Sequence, residues 1–240
     1  MTVILAQSSP IEDVAVFQVG PMPVSQTVVA TWGVMAAIIV FALVVRMRLK
    51  RDDPGILQRG FEAILDWLGE ETRGIIRRDP WPFLPLIATL FIFILVSNLL
   101  SLISTLIMVP PPTANIGTTA ALATIVFLAV PAYGIALTGT VNYLKTYVQP
   151  VVIMLPFNII SDLSRTLALA VRLFGNMLSG EILFGVILSL VPFFLPIPLM
   201  FLSLITGTIQ AYIFTVLTMV YIGGAVKSVE SKSVEKESTL

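Results

Sequence analysis

Hydrophobic residues fall in long, nearly uncharged blocks separated by short polar or proline-rich segments. Residues 27–45 form the first block and carry no charge; a helix of that length matches a hydrocarbon core of ~30 Å. Arg46, Arg48, Lys50 and Arg51 follow at once. The positive-inside rule puts that end in the cytoplasm and residues 1–26 outside, as an extracytoplasmic N-terminal segment. This segment holds Glu12 and Asp13 but no Lys or Arg. The basic start of a signal peptide is therefore missing, and the first block reads as an uncleaved span.

Residues 54–79 follow a different rule. Ile56, Leu57, Phe61, Ile64, Leu65, Leu68, Ile75 and Ile76 recur at helical spacing behind Pro54, with charges filling many other positions. The pattern predicts an amphipathic helix along the cytoplasmic membrane face; packing on a soluble partner is the competing reading. Residues 82–145 predict a membrane hairpin. Its first arm follows the interfacial Trp81 and is interrupted only by Ser97 and Asn98; its second runs over 117–143. Pro110, Pro111 and Pro112 mark the outside loop, and Lys145 the inner end. Residues 150–226 predict a second, longer hairpin. It has a helix over about 151–191, an outer turn at Pro192, Pro196 and Pro198, and a last span over 199–226. The polar stretch 227–240, KSVESKSVEKESTL, reads as a disordered cytoplasmic tail. The predicted class is all-α: a polytopic membrane protein with about five spans and one surface helix, its termini on opposite sides.

Composition agrees. The chain is 57% hydrophobic and 12% charged, about half the charge of a soluble domain, and its mean hydropathy is +0.97. Net charge is zero, so no basic face suggests nucleic acid. Cys and His are absent, which excludes disulfides, thiol chemistry and the usual zinc, haem and copper ligand sets. No glycine-rich phosphate loop and no long internal repeat is present. Ion handling must rest on carboxylates, amides, hydroxyls, Arg, Lys and water; no cofactor or metal is expected.

From Trp81 to Val226 the charged residues are Lys145, Asp162, Arg165, Arg172 and Glu181, four of them within one predicted helix. Each charge near a bilayer centre costs ~2.5–3.5 kcal/mol on insertion scales. At ~100° per residue, Asn158, Ser161, Arg165, Asn176 and Ser179 lie within about 40° of Arg172, forming one polar stripe. Asp162 lies about 80° away and Glu181 on the opposite face. Asp162 and Arg165, three apart, suit a surface pair near the cytoplasmic interface. Arg172 has only Ala168, Leu169, Gly175 and Asn176 at the helical neighbour positions, so its partner is expected on another chain.

The stretch RLFGNMLSGE, residues 172–181, resembles the signature of subunit a of the F-type ATP synthase membrane sector. IQAYIFTVLTMVYI (209–222), PPPTANIGTTAALA (110–123) and SNLL (97–100) also fit that family's pattern. The likeness covers most of residues 80–226 in order. It implies one outer helix, one surface helix and two membrane hairpins, the last strongly tilted around a rotating ring of c subunits. It further implies the peripheral-stalk subunit b, the soluble ATPase head and the lipid bilayer as partners, in a bacterial inner membrane. ATP chemistry would occur on partner subunits, not on this chain.

By the same resemblance each ring subunit carries a carboxylate that is neutral in lipid, because burial disfavours the ion. Facing Arg172 it releases its proton, or Na+. At ~4 Å and an effective dielectric of ~20 an opposite charge contributes roughly 4 kcal/mol, about a thousandfold in the ionisation equilibrium. An arginine suits the post because a guanidinium keeps its charge where a buried ammonium sheds it. The resemblance assigns Gln210 a place opposite Arg172, and Asn176, Glu181 and Ser203 places on the outer half-channel. At the position of a glutamate common in the inner half-channel this chain has Asn158; Asp162, one turn on, is the nearest acid. A stand-alone secondary transporter or ion channel is the alternative function.

Overall fold

The computed structural model describes residues 15–19, 22–47, 55–107, 111–141, 143, 153–191 and 196–237. The readings placed on residues 1–14, Arg48, Lys50, Arg51, Pro54, Pro110, Lys145, Pro150 and Pro192 lie outside the described residues. Six long helices dominate the rest: α1 (Gln26–Met47), α2 (Ile56–Ile76), α3 (Leu84–Ile107), α4 (Ile116–Thr138), α5 (Met154–Leu190) and α6 (Pro196–Glu237). All but α2 contain a stretch long and apolar enough to cross a membrane. The class is all-α and polytopic. A small antiparallel hairpin, β1 (Ala15–Val19) and β2 (Met22–Ser25), precedes α1, and a 3₁₀ turn, Pro112–Ala114, precedes α4.

Local chemistry sets the ends of these elements. The Ser25 hydroxyl accepts from the Val28 amide at 3.4 Å, supplying the first turn of α1 with an acceptor. Arg77 closes α2 in the left-handed region, φ 59°, its N–H donating to the Arg73 carbonyl at 3.0 Å. Gly139, φ 84°, stops α4 at Thr138, short of the expected residue 143.

Two readings at the ends of α6 are corrected. Pro196 and Pro198 belong to its first turn rather than to the loop before it. Proline's fixed φ suits a helix start, where its missing N–H has no intrahelical partner to lose. At the other end the helix runs on to Glu237, so residues 227–237 are not a disordered tail. No Gly or Pro follows Gly224, and extending a helix already nucleated in the membrane requires no new nucleus.

The chain divides into two compact units, one made of residues 1–47, 92–119 and 171–211, the other of 48–91, 120–170 and 212–240. In the first, buried Asn98 of α3 is a polar cross-link. Its Nδ2 donates to the Gly207 carbonyl of α6 at 2.7 Å, and its Oδ1 accepts from the Thr113 hydroxyl at 2.9 Å. Gly207 permits that approach: a Cβ there would stand 3.0 Å from the Asn98 Cβ. Small residues are the usual means of bringing membrane helices this close.

In the second unit, α2 lays its inner face on protein. Trp67 packs edge-on against Phe91 with ring centroids 5.7 Å apart, and against Tyr212 at 5.6 Å. The buried Thr72 hydroxyl lies 3.8 Å from the Met219 sulfur, and Gly223 leaves room for the Ile76 backbone. Phe83 and Tyr133 stack at 5.1 Å, while the Tyr133 hydroxyl donates to the Pro82 carbonyl at 3.1 Å. Glu62, Asp66, Glu70 and Arg73 stay on the exposed side of α2. Its amphipathic pattern is thus consumed by packing as well as by any interface.

Asn98→Ala removes both cross-link hydrogen bonds and strands the buried Thr113 hydroxyl. It should lower unfolding free energy by about 1–2 kcal/mol, read by denaturant titration of the detergent-solubilised chain.

A candidate ion path in two clusters

The first unit holds five of the residues singled out from sequence. Arg172 lies on an exposed side of α5, with Leu173 and Met177 on the buried side. Val171 and Ser179 are exposed near it and Gly175 and Asn176 are half-buried, so these neighbours are all uncharged. Among the described residues no hydrogen bond or ion pair involves its guanidinium. Glu181 is half-buried one helical face away. Gly180 beside it faces α6: a Cβ there would lie 3.5 Å from the Ser203 hydroxyl. The fold therefore brings the neighbourhoods of Glu181 and Ser203 together.

Gln210, two turns past Ser203 on α6, is only 6% exposed, and its Nε2 has no hydrogen-bond partner among the described residues. No hydrogen bond joins it to Arg172. The Ser97 hydroxyl of α3, fully buried beside Asn98, is likewise unpartnered. Two polar atoms held dry without partners are a cost to folding of about 1–3 kcal/mol each.

The second unit holds the others. Asp162 and Arg165 of α5 form the expected surface pair, with Nη1 and Oδ1 3.5 Å apart. The Thr166 hydroxyl donates to the Asp162 backbone carbonyl at 2.9 Å. The Arg165 guanidinium carbon stands 5.7 Å from the centroid of the Tyr221 ring of α6. These four residues line a cavity of about 110 Å³, completed by Ile159 and by α4 residues around Pro131. That volume admits a few waters. Pro131 has no N–H to give the Phe127 carbonyl one turn back, so that carbonyl lacks its usual intrahelical partner. Asn158 is half-buried one turn before Asp162, is engaged in an interaction of its own, and is not part of the lining.

The sequence profile of the family described as "ATP synthase A chain" matches residues 28–223, which include both clusters. The chain belongs to the ATP synthase A chain family. Its relatives include "ATP synthase subunit a 2" of a Bradyrhizobium strain, 44% identical over 227 residues, covering 93% of this chain and 98% of the relative. "ATP synthase subunit a 1" of Prosthecochloris aestuarii is 44% identical over 223 residues, covering 90% and 96%. "ATP synthase subunit a" of Albidiferax ferrireducens is 41% identical over 222 residues, covering 92% and 95%.

Sequence reasoning passed over Thr166 and Tyr221. Tyr221 sits in a run of apolar residues where nothing distinguishes it from an interface anchor, since its partner Arg165 is on another helix. The hydroxyl of Ser97 read as an interruption of a span, and its complete burial depends on packing that no local pattern encodes.

Gln210→Leu removes an unpartnered amide while keeping much of the volume. It should leave stability unchanged or raise it by about 1 kcal/mol. ATP-driven ion uptake by the reconstituted complex should fall at least about tenfold, separating a transport role from a structural one.

Proposed function

We propose that this chain is the stator through which protons, or Na+, reach and leave the carboxylates of a rotating c-ring, coupling their flow to ATP synthesis or hydrolysis. The observation that carries the reading is Arg172: a fixed positive charge on the open side of a membrane-length helix, with no acid of its own chain paired to it among the described residues. Such a charge is tolerable in a membrane only where protein or water meets it. A ring acid meets it once per step, gives up its ion there and cannot pass without doing so.

On this reading Glu181, Ser203, Asn176 and Gln210 serve the half-channel open to the outside. Asp162, with Arg165 and the cavity beside them, serves the cytoplasmic one, in place of a glutamate at Asn158. The 37 residues of α5 span about 55 Å as a helix, nearly twice the ~30 Å hydrocarbon core. A steep tilt along the flank of a ring accommodates that length. Arg46 and the basic residues after it favour a cytoplasmic end for α1, an N-terminus outside and a C-terminus inside. Subunit b and the ATPase head complete the assembly, and nucleotide chemistry belongs to that head. Each elementary charge crossing ~100 mV delivers ~2.3 kcal/mol to the rotation.

In the complete complex reconstituted into liposomes, Arg172→Ala should abolish ATP-driven ion uptake, a loss on the order of a thousandfold from the removed charge. Arg172→Lys should remain severely impaired. Full coupled uptake by Arg172→Ala would refute the stator reading, and ion flux through the purified chain alone would favour the transporter or channel. Asp162→Asn should slow uptake from the cytoplasmic side about tenfold or more; unimpaired uptake would remove Asp162 from the path.

A further inference from the structure

Arg73 and Arg77 stand one helical turn apart at the end of α2, and both are exposed. The Arg77 N–H donates to the Arg73 carbonyl at 3.0 Å, so the left-handed turn at Arg77 fixes the two backbones beside each other. The helix dipole favours a cation at this end, but like charges one turn apart repel. Glu70, Glu71 and Asp79 are the acids nearest in the chain. Neither guanidinium is nevertheless hydrogen-bonded or ion-paired among the described residues. An anion shared between them would turn the repulsion into two charge-assisted contacts.

Four residues on, Trp81 is 73% exposed, three positions before the apolar span that starts at Leu84. The turn that carries it is held firmly. The Phe83 and Leu84 N–H groups both donate to the Pro80 carbonyl at 3.0 Å. Phe83 is buried against Tyr133, whose hydroxyl donates to the Pro82 carbonyl. With Phe83 fixed inward, Trp81 is left on the outside, and an indole at the edge of a span favours the headgroup level. Cations and an exposed indole at one membrane entry match an anionic phospholipid. Guanidinium forks fit phosphate oxygens, and the ring covers the carbons below them. An acidic protein segment would suit the cations but would not call for an indole at the hydrocarbon edge.

We propose that Arg73, Arg77 and Trp81 form a binding site for the headgroup of an anionic phospholipid, where α2 hands over to α3. The site lies outside both ion-path clusters and does not depend on the stator reading. Its occupant would tie the last turn of α2 to the membrane plane.

The experiment uses the full chain with Trp32→Phe and Trp67→Phe, so that Trp81 is its remaining tryptophan. Reconstituted in phosphatidylcholine, it is titrated with brominated phosphatidylglycerol or brominated phosphatidylcholine, which quench an indole on contact. Phosphatidylglycerol should half-quench Trp81 at a mole fraction about five- to thirtyfold lower, the equivalent of ~1–2 kcal/mol for two basic residues. Arg73→Gln with Arg77→Gln should bring that ratio to about one. Arg73→Lys with Arg77→Lys keeps the charges and should retain a ratio of at least about three. In the chain with both arginines, ~1 M KCl should reduce the ratio at least about twofold by screening, a test that needs no charge variant. Equal quenching by the two lipids, a preference that survives the Gln pair or the salt, or a Lys pair as weak as the Gln pair overturns the proposal. So does loss of the preference in ~10 mM inorganic phosphate, which would mark a site for free phosphate. In the complete complex, benzoylphenylalanine at position 81 should photo-crosslink to phospholipid; a crosslink to another subunit instead would show the surface to be a protein contact and overturn the proposal.

Discussion

A guanidinium cannot shed its charge in hydrocarbon, and the arrangement around Arg172 follows from that constraint. An insertion cost of ~2.5–3.5 kcal/mol is supportable when something opposite in sign comes to meet the group. Within its own helix nothing does, since Ala168, Leu169, Gly175 and Asn176 occupy the neighbouring positions. The helix instead keeps Leu173 and Met177 on its packed side and leaves Arg172 on the open side, next to small residues. Small neighbours do not satisfy a charge, but they let another helix come near enough to do so. A fold that had buried Arg172 against its own acid would be easier to insert.

The two clusters handle polarity by different physics. In the first, polar groups are taken out of solvent and held by backbone geometry. Asn98 spends its amide on Gly207 and Thr113, while Gln210 Nε2 and the Ser97 hydroxyl remain without partners. Atoms left in that state lower stability, and their retention is the usual mark of a place where stability was not the only demand. In the second, the charged groups are partly exposed around a small cavity, and no single interaction dominates. The ion pair and the ring contact at Arg165 are each on the order of 1 kcal/mol. A balance of that size is easily moved, as a tightly paired and buried charge is not.

Close approach of helices links both clusters to the rest of the fold. Gly207 at Asn98 is a point where even a Cβ would press on the facing element, while at Gly180 and Gly223 a Cβ would just touch Ser203 and Ile76. In lipid, helix association gains little from the hydrophobic effect and depends on packing and on hydrogen bonds across the contact. The glycines supply the first and Asn98 the second. The aromatic group of Trp67, Phe91 and Tyr212 does comparable work in the other unit, where α2 meets α3 and α6.

The sequence by itself determined the membrane class, the long apolar helices and the amphipathic α2, because hydrocarbon thickness and helical periodicity act on consecutive residues. It also exposed Arg172 as a charge without a local partner, and the 172–181 motif pointed to the family that the relatives establish. It misplaced the start and end of α6, since Pro196, Pro198 and the polar stretch after Val226 have the composition of loops but no feature that forbids a helix. Tertiary structure alone decided which polar atoms are dry, that Gly207 rather than a side chain receives Asn98, and that Tyr221 stands under Arg165. Those facts depend on where residues far apart in the chain meet, and a pattern along one helix carries no information about the helix across from it.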